Sequence, residues 1–255
     1  MAKKVLLVLI MVIFAAGGVF AQNSFASMAK DTITVDIGPT IAGYAVGPMG
    51  SALGDMIPGA DNIADINISG FSIAAQYEHH FLKQVSVAGR VVYGGPNGTF
   101  DYKVGPASGT PKLNLTSLAG EGHVRFYPFG ETFFLDGMVG YAWLSADASG
   151  TFVAGGAGSR SGSAEESSNY LKYGAKLGWR MTFGNNGGFT FEPAFGWYLG
   201  TPLGDALSKK LTTSLAKSLS VSASELSSFE KAFSAIEDFV LIGGPRLSLA
   251  FGYRF

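Results

Sequence analysis

The segment that most restricts the fold is the last one, FVLIGGPRLSLAFGYRF, from Phe239 to Phe255. Alternate positions carry Leu241, Leu247, Leu249, Phe251, Tyr253 and Phe255 on one face, and Arg246, Ser248, Ala250, Gly252 and Arg254 on the other. A period of two is the signature of a β-strand. In a soluble sandwich the apolar face needs a covering sheet, whereas in a transmembrane barrel it needs only lipid. The remainder of the chain decides between these.

The same alternation recurs along the sequence. Ile33, Val35 and Ile37 alternate with Thr32, Thr34 and Asp36, and Phe71, Ile73, Ala75 and Tyr77 with Ser72, Ala74, Gln76 and Glu78. Val87, Val91 and Tyr93 oppose Ser86, Ala88 and Arg90; Leu118, Val124 and Phe126 oppose Glu121, His123 and Arg125. Leu135, Val139, Tyr141 and Trp143 oppose Phe134, Asp136 and Met138; Leu171, Tyr173, Leu177 and Trp179 oppose Tyr170, Lys172, Lys176 and Arg180. Phe189, Phe191, Phe195 and Trp197 face away from Thr190, Glu192, Ala194 and Tyr198. With the terminal segment this predicts eight strands, each with about 9–11 regular residues, the length that lets a tilted strand cross a bilayer.

Tight turns at Phe81–Gln84, Phe129–Thr132 and Gly184–Gly188 alternate with long Gly-, Pro- or Ser-rich loops at Tyr44–Ala64, Gly94–Pro111 and Ser145–Ser168. Two places break parity. Ile66 and Ile68 fall on the wrong face, which predicts a bulge near Gly70, and Leu113 and Leu115 are out of phase at the loop end of their strand. Residues 201–238 follow a helical period instead, with Leu207, Leu211, Leu215 and Leu219, then Leu226, Phe229, Phe233 and Ile236. Ser222 to Glu225 has the form of a capping box, so a second helix is expected to begin there, antiparallel to the first.

Composition agrees with a membrane neighbour. Of 255 residues 47% are hydrophobic and only 15% charged, too few charges for an ordinary soluble surface. A soluble eight-strand barrel would reverse the faces and would have to pack nearly all the bulky residues into a narrow interior. There is no cysteine, which rules out disulfides and thiolate metal sites, and the net charge of −1 disfavours nucleic acid as a partner. Residues 1–21, with Lys3 and Lys4, an apolar run and small residues up to Ala21, have the form of a cleaved secretory signal; a membrane-anchoring helix is the rival reading. A short leader, residues 22–30, then precedes a single domain over residues 31–255, in which 201–238 form a helical surface loop.

A signal segment, eight alternating strands, short turns on one side, long loops on the other and a terminal aromatic-x-aromatic, Tyr253-Arg254-Phe255, resemble the small outer-membrane barrels of diderm bacteria, the OmpA-domain, OmpX, OmpW and opacity-like group. The resemblance implies an all-β, antiparallel up-and-down transmembrane barrel in the outer membrane, surrounded by its lipids. It also implies that Tyr253 and Phe255 belong to an assembly signal read by the barrel-insertion machinery. The long loops would face outward, where they could take an extracellular ligand. The helical insertion before the last strand departs from the simplest members.

Counted from the tight turns, Glu78, Arg125, Asp136, Arg180 and Glu192 stand at similar heights, with Arg90 and Arg254 nearby, so that successive strands read Arg, Asp, Arg, Glu. A second layer is expected from Glu121, His123, Lys176 and Arg246. An eight-stranded barrel leaves room only for side chains or one small ligand. These charges are therefore read as a polar plug in a structural or surface-interaction protein, the alternative being a charged constriction in a narrow channel for small polar or amphipathic solutes. His79 and His80 adjoin a turn, but no histidine lies near a matching serine on the same strand face, and the phosphate-loop pattern is absent. Neither a catalytic residue nor a cofactor or metal site is assigned.

Overall fold

The computed structural model describes residues 30–37, 63–104, 107–109, 112–129, 132–154, 158–184, 187–238 and 243–255. The expected signal segment, most of the leader and nearly all of the first long loop lie outside these residues.

Among the described residues ten strands form one antiparallel sheet: β1 (Asp31–Asp36), β2 (Ile63–Leu82), β3 (Val85–Val104), β4 (Ala107–Gly109), β5 (Lys112–Phe126), β6 (Phe133–Ala154), β7 (Gly158–Trp179), β8 (Met181–Phe183), β9 (Gly188–Pro202) and β10 (Gly244–Arg254). β8 continues β7 past Arg180, and β4 is a short strand joining β3 to β6 beyond the end of β5, so the wall has eight members. The sheet closes on itself. Tyr253 of β10 pairs with Phe189 of β9 on one side and Ile33 of β1 on the other, and Ile33 pairs onward with Tyr77 of β2. Closure leaves these strands without a free edge. At the turn end the two ends of the wall are tied together, Asp31 N–H to the Phe255 carbonyl at 3.1 Å and Phe255 N–H to that of Asp31 at 2.9 Å.

Two expected loops are largely strand. The β6–β7 ladder runs through 145–168 to the pair Ala154↔Gly158, and β3 continues past Gly94 to Val104. In 145–168 glycine, alanine and serine are too small to show an alternation yet do not prevent pairing when the partner strand is already aligned, whereas Thr99 to Val104 does alternate polar with apolar and is a strand signal the Gly- and Pro-rich surroundings obscure. The expected bulge near Gly70 is also absent: Ser69↔Asn97, Gly70↔Pro96 and Phe71↔Gly95 run in unbroken register, and the irregularities fall at Ile63/Asp65 and His80/Leu82.

Between β9 and β10, at the loop end, lie α1 (Leu207–Leu219), a 3-10 turn (Ala223–Leu226) and α2 (Ser227–Ile236). Their apolar stripes do not pack only on each other. Leu207, Leu211, Leu215, Phe229 and Phe233 form one core with Leu113 and Leu115 of β5, Ala142, Leu144, Ala146 and Ala148 of β6, and Tyr170 of β7. The helices sit in the mouth of the barrel. This explains the parity slip at Leu113 and Leu115: both point inward, 4% and 7% exposed, to meet the helical cap.

Candidate functional site

The inward face has a charged storey near the turns and an apolar one at the mouth. In the lower part Arg125 of β5 donates from Nε to Asp136 Oδ2 at 2.8 Å and from Nη1 to Glu78 Oε2 at 2.6 Å and Glu192 Oε2 at 3.0 Å. Its Nη2 reaches Gln76 Oε1 at 3.2 Å, and its guanidinium lies 4.5 Å from the centroid of the Phe134 ring. Arg180 donates from Nε to Glu192 at 2.5 Å and from Nη2 to Glu78 at 2.6 Å. Glu78 also accepts from Ser86 and Tyr127, each at 2.6 Å. Glu78, Arg125, Arg180 and Glu192 are all at most 2% exposed.

These bonds run across the lumen. Glu78 on β2 is reached by arginines from β5 and from the β7–β8 junction, so the layer ties opposite walls instead of only neighbouring strands. The expected lateral order Arg, Asp, Arg, Glu is altered at one link: in register Asp136 faces Lys176, 3.3 Å away, and not Arg180. Arg180 lies past the end of β7 and turns instead to Glu192 and Glu78.

A middle layer follows. Arg90 donates to Asp36 at 2.8 Å, and Asp36 also accepts from Ser248 Oγ at 2.5 Å and the Leu249 N–H at 3.0 Å. Glu121 accepts from Lys172 at 3.0 Å and lies 3.4 Å from His123 Nε2 and 3.7 Å from Arg90 Nε. His123 Nδ1 meets Asp136 Oδ1 at 2.9 Å. The second layer foreseen from sequence is thus rearranged, Lys172 taking the place at Glu121 and Lys176 joining Asp136. Arg246 is half-buried on the same face and forms no ion pair among the described residues. Arg254 is buried beside Thr32. Tyr253 points outward, 59% exposed, and Phe255 is held by the backbone pair with Asp31.

Asp36, Gln76, Ser86, Tyr127 and Lys172 join the network without having been singled out as site residues. Parity alone could have found Asp36 and Lys172, which share faces with Thr34 and Lys176. Tyr127 continues the inward parity of His123 and Arg125 one step past the last residue of β5 and reaches back to Glu78.

The cap is fastened by a carboxylate. Glu237, after α2, accepts from the Ser208 N–H at 2.7 Å and the Leu207 N–H at 3.2 Å, and Tyr170 of β7 donates its hydroxyl to the same group. Ala206, which precedes α1, offers no side chain for capping, so this anion from the other helix satisfies the first turn and matches the helix dipole. Arg160 of β7 donates to the carbonyls of Leu219 and Ser220 at the opposite end of α1, at 2.7 and 3.0 Å. α1 also serves the edge of β7 that has no strand beside it among the described residues: Ser218 accepts from the Ser163 N–H at 3.2 Å and Lys210 donates to the Ser167 carbonyl at 2.9 Å.

The outward face changes in the opposite sense. On β6, Leu135, Val139, Tyr141 and Trp143 are 38–56% exposed, while Asp147 and Thr151 follow on the same face. On β7 the sequence outward is Trp179, Leu177, Tyr173, Leu171, then Asn169, Ser167, Glu165 and Ser163. Where the inside is charged the outside is apolar, and where the inside becomes apolar the outside becomes polar. The crossover lies on one row, Leu118↔Trp143↔Asn169.

The protein is thus an eight-walled antiparallel barrel with a charged lumen and a helical cap in its mouth. No protein-family model and no curated protein matches the chain. Among solved structures it is similar to the crystal structure of Ail, the attachment invasion locus protein of Yersinia pestis, at 11% identity over 90% of this chain and 100% of that one, with a TM-score of 0.39. The same protein in complex with the heparin analogue sucrose octasulfate aligns at 12% identity over the same shares, with a TM-score of 0.41.

Proposed function

We propose that the protein is a non-enzymatic integral outer-membrane barrel that serves as a structural and surface-interaction protein, its lumen closed by the ion-paired layer below and the helices above. The observation that carries this reading is the exchange of polarity along single strands. Water on the outside of the lower wall would face Leu135, Val139, Leu177 and Phe195, and lipid there removes the cost. The upper wall is built as an ordinary soluble domain, with polar residues outside and a core within. From Phe133 to Trp143 the apolar stretch of β6 has roughly the 9–11 residues required of a tilted strand crossing a bilayer. Ring contacts at its turn end, Phe133 with Trp179 at 5.5 Å and Phe183 with Phe189 at 6.0 Å, suit an interfacial girdle.

On this reading the chain is exported through a cleaved signal, the last strand with Tyr253 and Phe255 is recognised by the barrel-insertion machinery, and the β6–β7 hairpin and cap stand outside the lipid, where they offer a surface to an extracellular ligand. Single-channel recording on refolded protein in planar bilayers tests the closed lumen. The expected trace has no reproducible steps; steady conductance through the intact protein would replace this reading with that of a narrow channel for small solutes.

A further inference from the structure

Among the described residues the middle of the lumen holds more positive than negative charge. Arg90, Lys172 and Lys176 share the carboxylates of Asp36, Glu121 and Asp136, Arg246 adds a fourth cation that forms no ion pair with them, and Asp136 is already bonded to Arg125. Two buried donors there have no hydrogen-bond partner among the described residues, Gln76 Nε2 and Arg90 Nε, the latter 3.7 Å from Glu121 Oε2, too far for a hydrogen bond. They belong together, since Gln76 and Arg90 face each other in register on β2 and β3. The Gln76 amide cannot turn over to satisfy itself, because its oxygen accepts from Arg125, which has only donors to give.

Arg246 completes the group. It is the next inward residue after Ser248 on β10, and Ser248 bonds the same Asp36 that holds Arg90. Its electrostatic neighbours are Tyr198, Glu121 and Arg90. A cation withdrawn from water beside another cation is costly unless an anion joins it. Guanidinium and amide N–H groups arriving from different walls suit a ligand with several acceptor oxygens better than a single halide.

We propose that the lumen between the lower ion-paired layer and the helical cap binds a small oxyanion of the phosphate or sulfate class, held by Arg246, Arg90 and Gln76. The site depends on closure of the barrel and not on the lipid around it. It is tested on full-length protein refolded in detergent, with circular dichroism confirming the fold, so that a misfolded sample is not mistaken for an empty site. Inorganic phosphate is titrated at constant ionic strength while the phosphorus resonance and the unfolding temperature are followed.

The wild type is expected to broaden the phosphate line and to show a saturable rise in Tm. Arg246→Gln should lose both effects and, without phosphate, be no less stable than the wild type, because it removes a charge that forms no ion pair among the described residues and sits beside Arg90. Arg246→Lys, which keeps the charge, should retain a weakened response. Equal broadening by wild type and R246Q, or no saturable effect in either, overturns the site. So does a marked fall in the Tm of R246Q in phosphate-free buffer, since Arg246 would then be paired by a carboxylate of the chain itself.

Discussion

Arg125 and Arg180 carry the lower layer, and what they do follows from the cost of a lone buried charge. Removing one partner leaves carboxylates stranded in a dry interior, a loss of roughly 3–5 kcal/mol in comparable pairs. Arg180→Ala is therefore expected to lower the unfolding temperature of the refolded barrel markedly, measured by circular dichroism in detergent; an unchanged Tm would mean the ion pairs do not hold the walls. The glycines of the wall give a second contrast. A Cβ at Gly174 would come within 2.3 Å of the Tyr198 ring and 2.5 Å of the Trp197 carbonyl, whereas one at Gly120 meets nothing within 4 Å. Gly174→Ala should cost about 1–3 kcal/mol of stability through overpacking. Gly120→Ala should be tolerated, and equal folding yields for the two would contradict the packing described. Much of this residue-level detail was legible from parity, which set Glu78, Arg125, Arg180 and Glu192 on one face. Which carboxylate each arginine takes was not, because alternation orders side chains along a strand but says nothing of reach across a lumen.

Among the elements, the helical hairpin is where sequence and structure part most. Its period, its capping box and its two helices could be read directly, since leucines four apart and Ser222 with Glu225 are local signals. Its place could not. Leu113 and Leu115 break the phase of β5 because the partner of its apolar inner face is the pair α1 and α2, which alternation along one strand does not reveal. The β6–β7 extension was hidden for a related reason, its small side chains carrying no pattern of their own. Glu237→Gln should weaken the cap on α1 by about 1 kcal/mol, in the range of other N-terminal caps, and speed hydrogen exchange at Leu207 and Ser208 with the barrel intact. Unchanged exchange at those two amides would show that the carboxylate does not hold the helix. The backbone N–H of Ser222, and then its hydroxyl, hold the Glu225 carboxyl below its usual range. A depressed carboxyl contributes its stability at neutral pH and loses it as the pH falls through the folded value. Acidification should thus fray the turn before α2, seen as faster exchange there, and E225Q should remove that pH dependence.

At the scale of the molecule the account rests on one wall living in two solvents, lipid around its charged storey and water around its apolar one. The charge of the lumen and the apolar belt are then two sides of one strand pattern, and on the proposed reading the capped mouth is the part that meets the outside. The native chain has no cysteine, so single cysteines can be placed at will along the outward face of β6. The most direct measurement attaches spin labels at positions 135, 139, 147 and 151 of protein reconstituted in bilayers and compares relaxation by oxygen, which concentrates in lipid, with that by a water-soluble nickel complex. The account predicts oxygen dominance at 135 and 139 and nickel dominance at 147 and 151, with the change at the level of Trp143. Equal access of the nickel complex to all four positions would contradict it.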